Sequence, residues 1–363
     1  MHSIRIIGAG SIGNHLANAA RSFGWRVTLT DNDPAALERA RTSIYPQRYG
    51  AWDTAIALKD SRAAMSEPAD VVFIGTPPDT HIAIANAVLD SSTPKAIVIE
   101  KPLAGPDLAG CAELAARVRK AGIFAGVGYN HTLGQNTVAA QKLLSNGQLG
   151  SVSTISARTR EHWGGIFKAH PWLAGPAASY LGFSSRGGGA AGEHSHGINI
   201  WQHFAHVVGA GRVSEVSATL DMSSEAGTLY DRLCFIAMKT ENGLTGDVIQ
   251  DVVTAPSEKS CRIQGRDGFV DWRVNHQTGH DAVLSGKGET LNETLIKKTR
   301  ADDFKAEIAH LQEVLAGRVM SSPISLERGL DTMMVIAAAF KSHETGRRVR
   351  IDWRKGYTPE ALQ

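Results

Sequence analysis

The string GAGSIG, Gly8 to Gly13, restricts the possible folds of this chain more than any other feature. A G-x-G-x-x-G run carries weight where it follows a strand and opens a helix. Here the apolar run "IRII" precedes it, and "IGNHLANAARSFG" follows with helical spacing that closes at Gly24. In that setting Gly8 permits a tight turn, Gly10 lets the backbone approach a pyrophosphate, and Gly13 allows close helix–strand packing. Ser11 and Ile12 lie at the helix N-terminus, whose dipole meets the phosphate charge. Asp31 ends the next strand-like run, "RVTLTD". A carboxylate there accepts hydrogen bonds from the adenine-side ribose and repels a 2′-phosphate, so NAD is expected and NADP disfavoured.

The same rhythm continues to about residue 128. "DVVFIGT", "AIVIEKP" and "IFAGVGYN" read as strands, with helical stretches before and between them that include "DPAALERARTSI" over 33–44 and "DLAGCAELAARVRKAG" from Asp107. Strands alternating with helices predict a parallel sheet, hence an N-terminal Rossmann domain over 1–128. After Tyr129 the pattern changes to "VSTISARTRE", "RVSEVSATLDM", "DRLCFIAMKT", "LTGDVIQDVV" and "KSCRIQGRDGFVDWRV". These predict a C-terminal α/β domain over 129–363, built on a large open, mostly antiparallel sheet. Helices precede, interrupt and follow that sheet, and the C-terminal one is a candidate to pack back on the first domain.

With 363 residues the chain is long enough for two such cores. Its net charge of +2, without a basic stripe, argues against a nucleic-acid partner. No apolar run reaches the ~20 residues of a membrane span. Cys111, Cys234 and Cys261 are far apart and form no CxxC pair. Neither a disulfide framework nor a cysteine zinc site is expected, and the cytoplasm is the expected location. The dense histidines at 194, 196, 203 and 206 lack the helical HExxH spacing of a zinc site, so no metal is expected.

Two further strings carry chemistry. "GTPPDTH", Gly75 to His81, falls at a strand end, where Thr76 and Pro77 are candidates to line the cofactor, and His81, which opens the next helix, either contacts the cofactor or caps its own turn. "IVIEKPLA" places Glu100 and Lys101 at another strand end, before Pro102. The proline biases Lys101 toward extended backbone. An ammonium at the sheet's carboxyl edge can stabilise an oxygen that becomes alkoxide-like as hydride leaves its carbon. Glu100 can anchor Lys101 or a nicotinamide ribose.

These strings, in this order, resemble the glucose–fructose oxidoreductase, inositol dehydrogenase and rhizopine-catabolism (Gfo/Idh/MocA) family. The resemblance extends through "GGGAAGEHSHGIN", whose glycines read as a flexible loop, to the C-terminal helices, nearly the whole chain. It implies a cis Lys101–Pro102 bond, His196 as the general acid/base, Glu193 as the carboxylate that orients it and Asn199 as a polar substrate contact. Without a gap, however, Gly192 rather than Glu193 aligns with the family's Asp, and His194 is an alternative base. Tyr129 and Asn130 at the domain junction reach the nicotinamide or substrate, or simply end the strand. Arg158 and Trp163, in an aromatic and basic stretch, are candidate walls for a sugar, polyol or sugar-nucleotide substrate. The resemblance further implies reversible oxidation of a secondary hydroxyl and a homodimer or homotetramer formed through the open sheet. Two rivals keep the fold: a glycosidase or lyase that reduces bound NAD only transiently, and a non-enzymatic NAD or sugar-binding regulator.

Overall fold

A computed structural model describes residues 1–363, the side chain of Ala169 excepted. The first sheet has six strands: β1 (Ser3–Ile7), β2 (Arg26–Asp31), β3 (Ile56–Asp60), β4 (Val71–Ile74), β5 (Ala96–Ile99) and β6 (Phe124–Val127). All pair in parallel, in the order β3-β2-β1-β4-β5-β6. The order reverses at β1 and β4, which opens a crevice beyond the strands' carboxyl ends. β1, β4 and β5 are buried at every position, as strands covered on both faces must be. The connecting helices are α1 (Ser11–Ser22), α2 (Pro34–Arg39), α3 (Tyr45–Tyr49), α4 (Pro78–Ser91) and α5 (Cys111–Ala121).

Three local readings change. β3 was not expected: only Ile56 in it is buried, so an edge strand of this kind shows no alternation. The helix expected over 33–44 passes through a π turn, Ala40–Ile44, into α3. The helix expected from Asp107 starts at Cys111, because Leu108 and Gly110 take positive φ of 60° and 73°.

The second sheet contains β7 (Val152–Arg160), β8 (Val213–Ser223), β9 (Tyr230–Thr240), β10 (Thr245–Asp251), β11 (Glu258–Gly265), β12 (Phe269–Gln277), β13 (His280–Lys287), β14 (Thr290–Lys297) and β15 (Val349–Arg350). Their order is β14-β13-β12-β11-β7-β10-β9-β8-β15. β7 and β10 pair in parallel and every other neighbour is antiparallel. The β13–β14 hairpin escaped the sequence reading, since β14 is exposed at nearly every position and carries no apolar phase.

The remaining helices are α6 (Gln135–Ser145), α7 (Trp163–Ala169), α8 (Gly189–Glu193), α9 (His196–Val207), α10 (Arg300–Leu315) and α11 (Leu326–Thr345). Apolar residues of α9 and α11 share one core with the inward-facing residues of the second sheet and with Ile99 and Val127 of the first. α11 lies so close to β6 that a Cβ on Gly329 would overlap the Val127 side chain. α10 does something different. Its Phe304, Ile308 and Leu311 belong to the core of the first domain, with Leu16, Ala20 and Val27.

The other face of the second sheet is open. Register defines a single cross-strand row on it, Thr219–Phe235–Ile249–Arg158–Ser260–Arg273–Ala282–Leu295. Phe235 and Leu295 in this row, and Leu291 nearby on β14, are exposed hydrophobics.

Candidate active site

The crevice at the end of the first sheet is shaped by its glycines. Gly8 has φ 112°, and a Cβ there would stand 2.6 Å from the Gly75 carbonyl oxygen. Gly13 packs against Gly8 with no room for a side chain. Gly10, by contrast, faces open space, so the cradle that a pyrophosphate needs is clear of protein atoms. Ser11 and Ile12, partly exposed, begin α1 beside it. Arg48 donates to both the carbonyl and the Oγ of Ser11 at 2.8 Å, which brings a guanidinium to the anion end of the helix. Asp31 accepts from Ala9 N at 2.9 Å and Asp33 N at 3.0 Å, which fixes its carboxylate at the end of β2. Thr76 and Pro77 lie at the mouth of the crevice, the former bonded to Thr80 Oγ1 at 2.7 Å. These residues fit an NAD molecule. Asp31→Ser should raise NADP affinity relative to NAD by ten-fold or more, as read by fluorescence titration with the two reduced cofactors, because the charge facing a 2′-phosphate is gone.

His81 does not reach this crevice. It is fully buried, with Nε2 2.7 Å from Thr76 O and Nδ1 3.1 Å from Pro102 O. Burial holds its pKa down to about 4. The ring braces the Thr76 and Pro102 turns against each other, which corrects its expected role as a cofactor contact.

Beyond β5 the chain continues as Glu100-Lys101-Pro102, with a cis Lys101–Pro102 bond. Lys101 N donates to Glu100 Oε2 at 2.5 Å. Burial pushes the Glu100 carboxyl up to about 7. Behind it, the wholly buried Glu307 of α10 is raised to about 8, by burial first and then by Glu100. Lys101 Nζ donates to Glu193 O at 2.8 Å and stands 3.1 Å from Glu193 Oε2. Tyr180 OH donates to the same carboxylate at 3.1 Å. Burial raises the Glu193 pKa, but Lys101, His194 and Tyr180 outweigh it, and the group lies below the ordinary range. The Lys101 and Glu193 side chains are only 12% and 18% exposed. A buried pair of this kind holds because each charge has its partner; removing one strands the other.

Glu193 therefore orients Lys101, and the expectation that it orients His196 is corrected. His196, the first residue of α9, is held by rings. His131 stacks on it with centroids 4.2 Å apart, and Tyr129 meets it edge-on at 5.5 Å. Burial, then the charges of His131, Lys101, Lys259 and Arg300, hold its pKa well below the ordinary 6.5. The imidazole is thus neutral at neutral pH and able to accept a proton. Its Nδ1 is buried without a hydrogen-bond partner, as is His194 Nε2. His194 is nearly buried, its pKa held down to about 4 by burial.

Four other expected contacts are corrected. Tyr129 is fully buried and its OH donates to Ser195 Oγ at 3.1 Å, so it supports the His196 ring from behind. Asn199 is buried and donates to Thr332 Oγ1 of α11 at 3.1 Å. Arg158 lies in the cross-strand row on the open face, paired with Asp247 at 2.5 Å. Trp163 is packed between Phe167 and Tyr230, at 5.6 and 5.8 Å, and offers no free ring face for a sugar.

Three groups near the histidines were missed. Lys259 pairs with Glu161 at 2.7 Å, and its charge acts on His131, His194 and His196. A signal was present, because Lys259 is in phase with buried Cys261 and Ile263 along β11. His131 ends the junction string GYNH, directly after Tyr129 and Asn130, while nothing in the sequence marks Tyr180.

The glycine string was expected to be a flexible loop. It is instead a tightly packed one. A Cβ on Gly187 would press on Pro78 at 2.7 Å, and one on Gly189, at φ 75°, would overlap Asp231 Oδ1. Asp231 in turn accepts from Ala191 N at 2.7 Å and Ser184 Oγ at 2.8 Å. Gly189→Ala should therefore destabilise the protein by about 2 kcal/mol or more through overlap and positive φ. A denaturant midpoint unchanged from wild type would count against this packing.

The chain matches two family models: the NAD-binding Rossmann-fold domain of an oxidoreductase family, GFO_IDH_MocA, over residues 3–129, and a GFO/IDH/MocA C-terminal domain over residues 137–271. It is 26% identical over 226 residues to a 1-carboxy-3-chloro-3,4-dihydroxycyclohexa-1,5-diene dehydrogenase of Comamonas testosteroni. That match covers 61% of this chain and about half the length of the relative, 50%. A levoglucosan dehydrogenase complexed with NADH and levoglucosan superimposes with TM-score 0.76 at 19% identity, covering 96% of this chain and 98% of the other. A myo-inositol dehydrogenase candidate of Sinorhizobium meliloti 1021 gives TM-score 0.73 at 20% identity, covering 96% and 99%. At these identities the structural likenesses establish the fold.

Proposed function

This chain belongs to the GFO/IDH/MocA family of NAD-binding oxidoreductases, and we propose that it is a dehydrogenase that oxidises a secondary hydroxyl of a sugar, polyol or sugar derivative. The observation that carries this reading is the convergence of two groups remote in sequence. Lys101 comes from the edge of the first sheet, and its ammonium lies against Glu193, three residues before His196. NAD, when bound, supplies the acceptor for the hydride. His196, neutral through burial and its cationic neighbours, removes the hydroxyl proton. Lys101 stabilises the negative charge that grows on that oxygen. Glu193 and Tyr180 hold the ammonium in place, and His131 and Tyr129 fix the imidazole plane. Lys259 and Glu161 stand at the same pocket and are candidates to set substrate choice. The carboxylated dihydroxy ring and the levoglucosan in the names of two relatives agree with a vicinal or cyclic hydroxyl substrate. The open row with Phe235 and Leu295 supports assembly of two or four copies through the second sheet.

The test is a screen of inositols, aldoses, their acids and nucleotide sugars with NAD, read at the nicotinamide absorbance. Stoichiometric NADH with one of them supports the reading. Turnover of a substrate without net NADH replaces it with the transient-redox lyase or glycosidase reaction.

A further inference from the structure

We infer that a second cavity, beside the Asn130–Leu133 turn, is a binding site for a small oxyanion, the phosphate or carboxylate of a metabolite. The cavity has a volume of about 440 Å³ and lies among that turn, α6, α9, α10 and the start of α11. This is the size of a pocket for a small metabolite. The ionisable side chains in its wall are His203, His206, His310 and Arg328, and no carboxylate lines it. Ser321 and Ser322 add hydroxyls. The site is separate from the catalytic one: His203 is two turns along α9 from His196, or about 10 Å at 1.5 Å per residue.

Arg328 carries the argument. Its guanidinium is half-buried, and among the described residues it has no acidic group within ion-pair distance. Asp331, the acid that acts on it most, is already engaged by Arg212 at 2.5 Å. A guanidinium does not lose its proton to relieve burial, and Asp331 and Glu327 act on it only through space, so it reaches the cavity wall without a direct ion-pair partner. The same charge helps to hold His203 and His206 below the ordinary range, after burial. Donors are also preset. Gln141 Nε2 donates to His203 Nε2 at 3.0 Å, which leaves the ring's proton on Nδ1, and His310 Nε2 bonds Ser322 Oγ at 2.8 Å. An oxyanion would supply the missing counter-charge and accept from Arg328 in the bidentate manner that suits phosphate and carboxylate alike.

Calorimetric titration of the full chain, saturated with NAD so that the glycine loop is filled, tests this with inorganic phosphate in one arm and citrate in the other. Binding of phosphate alone assigns a phosphate ester, and binding of citrate alone or of both assigns the carboxylate or the shared oxyanion chemistry. In Arg328→Gln the affinity should fall ten-fold or more. His206→Ala, at an exposed rim position with no packing role, should weaken binding several-fold and decides the matter if Arg328→Gln does not fold. Absence of binding in both arms, or undiminished affinity in the variants that fold, overturns the inference.

Discussion

Lys101→Met should lower kcat by about 10³-fold while NADH affinity, read by fluorescence, stays within a few-fold of wild type. The methionine keeps the length and apolar stem of the lysine but leaves the developing alkoxide without its counter-charge. The substitution also strands Glu193, whose carboxylate then keeps, among the described residues, only the Tyr180 hydroxyl as a hydrogen-bond donor. Its pKa should climb accordingly, since burial is the largest influence on it and the leading opposing charge is gone. Lys101→Met with Glu193→Gln should therefore recover stability but not turnover. Unchanged kcat in the single variant, with a substrate found by the screen, would remove Lys101 from the chemistry.

His196→Asn should reduce kcat/KM by about 10²- to 10⁴-fold, the span of general acid–base catalysis. Its pH dependence is the sharper test. The folded pKa of His196 is depressed, so the imidazole stays neutral as pH falls through 6.5 and protonates only well below it. The wild-type profile of kcat/KM should hold its plateau past pH 6.5 on the acid side, and the variant should lack that limb. An acid limb centred near 6.5 would mean that the base is a histidine in water rather than the one stacked on His131. Stability carries the same sign. Burial also depresses His81, His194 and His203, each to about 4. Below the unfolded value of 6.5 the unfolded chain binds the extra protons, so these groups favour the fold above that value and progressively less as pH drops toward 4.

The parts of this architecture legible in the sequence are those with a strong local period or a fixed backbone need. The GAGSIG turn, the fully buried β1, β4 and β5, and the alternation of β7 to β12 were read from such signals. β3 and β14 were not, because edge strands bury too little to impose a phase. At the site, residue types were easier to read than directions. Lys101, Glu193 and His196 were named, yet the partner of Glu193 is fixed by the meeting of two chain segments 92 residues apart. Arg158 and Lys259 show the same limit more plainly. Both are basic residues on adjacent strands, and a one-residue difference in register sends the first to the open face and the second to the pocket.

The crossing of α10 has a consequence for how this molecule can be divided. Phe304, Ile308 and Leu311 fill a strip of the nucleotide-binding half from a stretch of chain more than 170 residues downstream of its last strand. The smallest autonomous cofactor-binding unit is therefore discontinuous. Cutting after the sixth strand would bare that strip to water, and grafting the unit elsewhere would require carrying the distant helix with it.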